Sequence, residues 1–424
     1  MTSYKPLVIP TQDDAPQSFG FAPCEGGVCA AAGMRAAGIS AGFRKNPQRK
    51  DMALVVADKT SVCAATFTQN RFCAAPVQVS RARAASGHAR AVVLNSGNAN
   101  AATGEPGLRC AEKACALVAQ VLNCDEQDVL VASTGVIGVQ LPFEPYVKGV
   151  PAIVDALAAT AHAAPCAVMT TDTHPKEAAF AGPAPQADSS SVTVHVGGFV
   201  KGSGMIQPNM ATMLCVLSTD APLTPEAAYA ALLSAVRQTF NKVTVDSDTS
   251  TNDTCILFAT GAAGGEVIDE ASPAFPAVVA AIKGVCTNLA RQIAADGEGS
   301  TKLVTVDVLG AASQADADKV AFAIANSPLV KTAIFGHDAN WGRVAAAGKC
   351  GVPFSQENVD IDFMGVPVLR AGLPVPMDED DMLRRFEQSE IDIAISLGAG
   401  DAHSRVWTCD LTHDYVKING EYRT

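Results

Sequence analysis

"KGSGMIQPNMATMLCVLSTD", residues 201–220, joins a turn-forming approach to an apolar run near the middle of the 424-residue chain. The glycines and Pro208 predict a loop, and the run that begins at Met213 predicts a buried strand. Thr212 lies at the boundary between the two. A threonine in this place is either an ordinary start of a strand or a nucleophile, and the local pattern leaves both interpretations open.

The composition indicates a packed globular protein, since 48% of the residues are hydrophobic and only 17% are charged. A net charge of -12 argues against nucleic acid as a partner, because phosphates are bound by basic surfaces. The N-terminus lacks the pattern of a signal peptide, and no apolar run approaches the roughly 18 residues of a membrane helix. We therefore expect a cytoplasmic enzyme that contacts neither nucleic acid nor membrane.

The residues that commonly bind metals are scattered. The 13 cysteines show no zinc or redox spacing, and we expect them to be small buried thiols in a reducing compartment. The seven histidines form no local ligand pattern, so no metal site is predicted. His337, in "FGHDANWGR", lies in a loop-like motif, and a structural and a functional role are equally open.

Two glycine-rich stretches resemble nucleotide sites only superficially. "DGEGSTK", residues 296–302, lacks the order of a phosphate-binding P-loop, and "GSGMIQPN", residues 202–209, lacks the dinucleotide pattern. We expect no nucleotide cofactor.

Strand-like and helix-like segments alternate, which predicts an α/β fold. Thr224 and the acidic residues 378–381 are expected to begin helices, and the Pro/Ala/Ser-rich residues 179–191 are expected to form a surface loop. The predicted strands are 52–58, 89–97, 128–135, 191–199, 213–220, 254–261, 302–310, 391–398 and 415–420. The predicted helices are 110–123, 145–162, 224–240, 276–296 and 317–327.

Thr212 needs an adjacent base to act as a nucleophile. Its own α-amine would supply one if the Ala211–Thr212 peptide bond were cleaved, because a free α-amine has a pKa of about 8. Gly202 and Gly204 permit unusual backbone conformations just upstream. Attack of the Thr212 hydroxyl on the Ala211 carbonyl, followed by hydrolysis of the ester, would leave Thr212 as a new N-terminus.

The stretch closely resembles the self-cleavage signature of the ornithine acetyltransferase family, whose members often also synthesise N-acetylglutamate. Further motifs match in family order and span nearly the whole chain. They are "RKDMALVVAD", "NRFCAAPVQVSR", "NSGNANAATG", "ASTGVIG", "MTTDTHPK", "VTVDSDTSTNDT", "DGEGSTK", "GHDANWGRVAAAG" and "YVKINGEYRT".

The resemblance implies cleavage between Ala211 and Thr212 into an α chain, residues 1–211, and a β chain, residues 212–424. It implies Thr212 as nucleophile and Thr134 with Gly135 as the oxyanion hole. The fold it implies is a two-lobed, mixed-sheet α/β sandwich with the cleavage site between the lobes. The assembly it implies is two α and two β chains.

The resemblance also implies substrate contacts and an activity. The contacts are Thr170, Lys201, Thr212, Glu298, Asn419 and Thr424, with Thr171 or Thr173 as alternatives to Thr170. The activity is transfer of the acetyl group of N2-acetyl-L-ornithine to L-glutamate in arginine biosynthesis, with no metal or organic cofactor. Acetyl-CoA serves as a donor only if the enzyme also makes N-acetylglutamate anew.

Two other functions remain open from the residues. An N-terminal-nucleophile aminopeptidase or amidase of the same fold would use water as the acceptor. A binding protein that keeps the fold would not be cleaved.

Overall fold

The computed structural model describes residues 4–10, 15–160, 162–207, 213–348 and 350–421. The chain divides into two compact units. The larger unit comprises residues 13–241 and 248–290, and the smaller unit comprises residues 1–12, 242–247 and 291–424.

A mixed sheet forms the centre of the larger unit. Its strands are β1 (Ala22–Pro23), β2 (Met34–Ile39), β3 (Met52–Phe67), β4 (His88–Asn98), β5 (Val129–Val136), β6 (Lys176–Pro185), β7 (Ser191–Lys201), β8 (Leu214–Thr219) and β9 (Thr254–Ala259). Their order is β1-β6-β7-β8-β9-β3-β4-β5, with β2 paired to β3. The pairs β4–β5 and β8–β9 are parallel and the other pairs are antiparallel.

Helices cover this sheet. They are α1 (Ala75–Ala84), α2 (Gly104–Leu122), α3 (Glu144–Asp155), α4 (Ala163–Val168), α5 (Pro225–Gln238) and α6 (Phe275–Ala295), the last of which continues into the smaller unit. The two parallel pairs are connected through α2 and α5, as parallel strands require a crossover. Every residue of β8 and β9 is buried, which explains the apolar stretches 214–217 and 255–259 within them.

The smaller unit contains a second mixed sheet. Its strands are β10 (Leu303–Ala311), β11 (Asp360–Phe363), β12 (Val366–Arg370), β13 (Leu373–Pro374), β14 (Glu390–Ser396) and β15 (Ala402–Cys409), in the order β13-β12-β11-β14-β10-β15. Its helices are α7 (Gln314–Ala325), α8 (Pro328–Phe335), α9 (Trp341–Ala347), α10 (Glu379–Phe386) and α11 (His413–Gly420). Valines and isoleucines of β10, β14 and α7 form its core.

The predicted mixed-sheet α/β fold with two lobes is confirmed. Two helix starts are also confirmed: the Thr224 side chain accepts from the Ala227 amide, and Asp378 accepts from the Asp381 amide. The 13 cysteines are free thiols, and the expected burial holds for seven of them. Burial raises the pKa of Cys63 to about 12, which keeps this thiol neutral and unreactive.

Three secondary-structure predictions are wrong. Residues 415–420 lie in α11 and not in a strand, because Thr412 caps a helix start that lies outside the apolar pattern. Residues 179–185 belong to β6 and not to a loop, since they pair with residues 191–197 of β7. The helix predicted over 145–162 ends at Asp155, after which Ala158 forms a bridge with Ala36 of β2.

The two units do not divide at residues 211 and 212. Residues on both sides of this point belong to the larger unit, where Lys201 of β7 is paired with Leu214 of β8. The expectation of a cleavage site between the lobes is therefore not matched by the boundary of the units. The division into chains 1–211 and 212–424 stays a prediction.

None of the helices in the described ranges combines the length and the apolar character that a bilayer-crossing helix needs. Among the described residues, no group of His, Cys, Asp and Glu side chains is arranged to hold a metal ion.

Candidate active site

Thr134 and Gly135 lie near the end of β5, beside an irregularity in β4. They pair with Ser96 and Gly97, and Asn98 pairs with both Thr134 and Val136, which marks a β-bulge. Gly135 has φ +130°, and a Cβ there would lie 2.4 Å from the carbonyl carbon of Gly97. Only glycine fits this close approach of two backbones. The position of the predicted oxyanion hole is thus fixed by packing.

A buried polar network holds this strand end. The Ser133 hydroxyl and the Tyr146 hydroxyl both donate to Asn95 Oδ1, at 2.5 and 2.9 Å. Asn95 Nδ2 donates to the Asn98 carbonyl at 2.9 Å, and Asn252 Nδ2 donates to the Ser133 carbonyl at 2.8 Å. Burial raises the pKa of Tyr146 well above its usual range, so this phenol remains a neutral donor. A satisfied network of this kind restrains the residues next to it.

Lys201 ends β7 and lies near the buried carboxylate of Asp172. Asp172 accepts from Lys176 Nζ at 2.7 Å, from the Gly202 amide at 2.8 Å and from the Thr170 amide at 2.9 Å. Burial acts to raise the pKa of Asp172, but the charges of Lys201 and Lys176 outweigh it and lower the pKa below its usual range. Asp172 is therefore ionised at neutral pH. The group formed by Asp172, Lys176 and Lys201 in the larger unit is called the cationic corner below.

The three candidate threonines differ in their surroundings. Thr170 is half-buried, its amide contacts Asp172, and its carbonyl accepts from Arg49 at 3.1 Å. Thr171 is also half-buried, whereas Thr173 is exposed and its hydroxyl lies 3.1 Å from His174 Nδ1. Thr170 is thus held in the same network as the cationic corner.

Arg44 links this corner to the end of β5. Its Nε donates to the Ser96 hydroxyl at 3.2 Å, and its terminal nitrogen donates to the Met169 carbonyl at 2.5 Å. Ser96 is the strand neighbour of Thr134, and Met169 precedes Thr170. These contacts connect the strand end that carries Thr134 and Gly135 with the segments that carry Thr170 and Lys201, four residues predicted from the family motifs.

Glu298 and Asn419 form a second group, in the smaller unit. Asn419 Nδ2, on α11, donates to Glu298 Oε2 at 2.8 Å. The Thr412 hydroxyl donates to the Gly299 carbonyl at 2.6 Å, and a Cβ on Gly299 would lie 2.5 Å from the Tyr415 amide. The close packing of α11 on the 296–301 turn therefore requires glycine at 299. The segment that carries Asn419 is a docked helix.

Three predicted residues, Ala211, Thr212 and Thr424, lie outside the described residues. The chain is described up to Gln207 and again from Met213. Upstream, Met205 has φ +56°, a conformation that strains a residue other than glycine.

His337 has a structural environment. It occupies a turn with φ +57° after α8, and its amide donates to the Ile334 carbonyl at 3.1 Å. Asn340 of the same motif caps α9 by accepting from the Arg343 amide. These contacts favour the structural interpretation of the motif.

Sequence reasoning missed Arg44, Asp172, Lys176 and Asp253. Asp172 and Lys176 lie within the quoted "MTTDTHPK", where a carboxylate and a lysine four residues apart were the available signal. Asp253 directly precedes the wholly buried β9, an unusual place for a carboxyl group. Arg44 has no local signal, since its partners are 52 and 125 residues away.

A family model described as the ArgJ family matches residues 35–424. The arginine biosynthesis bifunctional protein ArgJ of Symbiobacterium thermophilum is 46% identical over 402 residues, spanning 94% of this chain and 99% of that protein. The protein of the same name from Bradyrhizobium diazoefficiens is 46% identical over 405 residues, spanning 93% of this chain and 95% of that protein.

Two solved structures carry related names. A crystal structure of arginine biosynthesis bifunctional protein argJ from Bacillus halodurans has a TM-score of 0.47 and 40% identity, covering 48% of this chain and 97% of that chain. The ornithine acetyltransferase of Mycobacterium tuberculosis, complexed with ornithine, has a TM-score of 0.41 and 35% identity, covering 45% of this chain and 100% of that chain. With a family model that matches nearly the whole sequence, this chain belongs to the ArgJ family.

Proposed function

We propose that this chain transfers the acetyl group of N2-acetyl-L-ornithine to L-glutamate in arginine biosynthesis, through an acetyl ester on Thr212. The observation that carries this proposal is the connected network of the larger unit. It runs from Thr134 and its neighbour Ser96 through Arg44 to the Asp172–Lys201 corner. Oxyanion donors and a carboxylate-binding cation are two of the elements that acyl transfer between amino acids uses, beside the nucleophile and its base.

Self-cleavage between Ala211 and Thr212 prepares the nucleophile. The Thr212 hydroxyl attacks the Ala211 carbonyl, and water hydrolyses the resulting ester. Met205, six residues before this bond, has a strained φ of +56°. The antiparallel pairing of β7 with β8, from Lys201 with Leu214 to Val196 with Thr219, supports continued association of the two fragments.

Acetyl transfer then proceeds in two halves. The α-amine of Thr212 takes the proton of its own hydroxyl, which attacks the acetyl carbonyl of acetylornithine. The Thr134 hydroxyl and the Gly135 amide stabilise the oxyanion, and ornithine leaves with the proton. Glutamate accepts the acetyl group by the reverse route.

The substrate contacts follow from charge. Lys201 binds the α-carboxylate shared by both substrates, and Thr170 lies beside it in the network. We carry over Glu298, Asn419 and Thr424 as further contacts, with Glu298 as the partner of the side-chain ammonium of ornithine. Glutamate then places its side chain away from Glu298.

We further propose a cytoplasmic assembly of two α and two β chains and a second acetyl donor, acetyl-CoA. The word "bifunctional" in the names of the relatives favours a second activity. Formation of acetylglutamate from glutamate and acetyl-CoA, assayed beside transfer from acetylornithine, tests it.

The decisive experiment combines cleavage and exchange. Wild-type protein should run as two fragments on a denaturing gel, Thr212→Ala as one. Wild-type protein should move labelled acetyl from acetylornithine to glutamate, and release of labelled acetate without acetylglutamate would instead identify a hydrolase. Thr134→Val should lower kcat about 100-fold to 1000-fold, as loss of one oxyanion donor does, while the chain is still cleaved.

A further inference from the structure

Asp253 is a buried carboxyl group that the mechanism above does not use. The residue is 1% exposed and precedes β9. Neither of its carboxyl oxygens receives a hydrogen bond of regular geometry from any described residue. A buried polar group of this kind is costly, so its presence calls for an explanation.

The surroundings of Asp253 are fixed by backbone contacts. The Thr68 amide donates to the Asp253 carbonyl at 3.0 Å, and the Thr254 amide donates to the Met213 carbonyl at 2.9 Å. The Met213 amide, directly before β8, and the side chains of Ser250 and Thr68 lie close to the carboxyl group without forming a regular hydrogen bond to it.

Few charges act on this carboxyl group. Lys201 at the end of β7 is nearby, but its charge also acts on the ionised Asp172, and Arg81 is directed to the Thr68 carbonyl at 2.8 Å. Burial raises the pKa of Asp253 well above its usual range, although Ser250, Met213, Thr68 and Lys201 act to lower it. In the intact chain the neutral acid is therefore favoured.

Met213 is bonded to Thr212, and successive backbone nitrogens are at most about 4 Å apart. The Met213 amide lies close to the Asp253 carboxyl group, so cleavage before Thr212 would create a basic amine one residue along the chain from that amide. We propose that Asp253, whose carboxyl group accepts no regular hydrogen bond from the described residues of the intact chain, is the positioning carboxylate for the α-amine that cleavage creates on Thr212.

This role rests on the proposed function and completes its proton balance. Cleavage yields an acid on Ala211 and an amine on Thr212, and the Asp253 proton passes to that amine to give a carboxylate–ammonium pair. The reactive form has lost one proton to solvent. When the amine then takes the proton of the Thr212 hydroxyl, the Asp253 carboxylate stabilises the ammonium and orients it, as a third group commonly does for a catalytic base.

The first test is a change of sign in stability. In the uncleaved Thr212→Ala chain, adding Asp253→Asn should leave the melting temperature unchanged or raise it, more at pH 8 than at pH 5. In the cleaved enzyme, Asp253→Asn should lower the melting temperature. Equal destabilisation of both forms would mean a structural role and overturn the proposal. Failure of Asp253→Asn alone to cleave would also overturn it, since the carboxyl group would then belong to the cleavage step.

The second test is the pH profile of the cleaved enzyme. In Asp253→Asn the acidic limb of kcat/KM should move down by about one pH unit or more, because a neighbouring anion no longer favours the ammonium. Asp188→Asn, which removes an exposed carboxylate, should leave the limb in place. An unchanged limb in Asp253→Asn would overturn the proposal.

A third measurement needs no variant. The pH dependence with which an amine-reactive reagent labels Thr212 of the cleaved wild-type enzyme should give a pKa of about 8 or higher, and a clearly lower value would contradict a carboxylate partner. Absence of cleavage or transfer in the wild-type protein would refute the proposed function instead, so the two failures are distinguishable.

Discussion

Asp172 and Asp253 are two buried carboxyl groups of the larger unit, and both feel the charge of Lys201, yet their pKa values move in opposite directions. Asp172 accepts from a buried ammonium and two backbone amides. Asp253 receives no hydrogen bond of regular geometry from the residues described. Burial raises the pKa of both, and only Asp172 has the partners to overcome it.

This difference in hydrogen-bond partners indicates that the two buried carboxyl groups have different roles. The partners of Asp172 are already in place, so its charge serves to hold Lys201 and the Thr170 segment in position. For Asp253 the proposed partner is made by a later chemical step. The environment of Asp253 is unfavourable for a carboxylate in the intact chain, and a cation created by cleavage would make it favourable.

The largest effect that tests this contrast is expected from Asp172→Asn. The substitution leaves the fully buried ammonium of Lys176 without its carboxylate. We expect the free energy of unfolding to fall by about 3–5 kcal/mol, as when one partner of a buried ion pair is removed. Urea denaturation of wild-type and variant protein measures it. Asp188→Asn should have little effect, and a loss as small for Asp172→Asn would remove the contrast with Asp253.

The contributions of Asp172 and Asp253 to stability should also depend on pH with opposite signs. The folded pKa of Asp172 is lowered, so its contribution is complete above the unfolded pKa of about 4 and is lost as the pH falls below that. The stability difference between wild-type and Asp172→Asn should thus be constant from pH 5 to pH 8 and shrink below pH 4. A difference that grows on acidification would mean that the pKa of Asp172 is not lowered.

Much of the fold was readable from local pattern. The strand patterns of β8, β9 and β10 and the caps at Thr224 and Asp378 lie within short windows of sequence, and there the predictions hold. The errors arise where a distant contact outweighs the window. Ala158, in a predicted helix, instead forms a bridge with Ala36. The Pro-rich stretch predicted as a loop pairs with β7 and forms most of strand β6.

The site residues also fall into those that local sequence predicts and those that depend on distant contacts. The motifs named Thr134, Gly135, Thr170 and Lys201, and the structure connects them. The residues that hold them in place were not named, because their roles exist only after folding. Arg44 acts on carbonyl and hydroxyl groups far along the chain, and the isolation of Asp253 is a property of its surroundings that its sequence neighbours do not encode.

The smallest expected effect concerns which threonine contacts substrate. The amide of Thr170 is held by the ionised Asp172, which fixes the backbone that carries its side chain, whereas Thr173 is exposed beside His174. Thr170→Val should raise KM for acetylornithine about fivefold to tenfold, the usual cost of one hydrogen bond, and Thr173→Val should change it less than twofold. Steady-state kinetics of the two variants and of Thr171→Val measure this. An effect confined to Thr171→Val would move the contact by one residue and show that anchoring by Asp172 is not what selects the substrate-binding threonine.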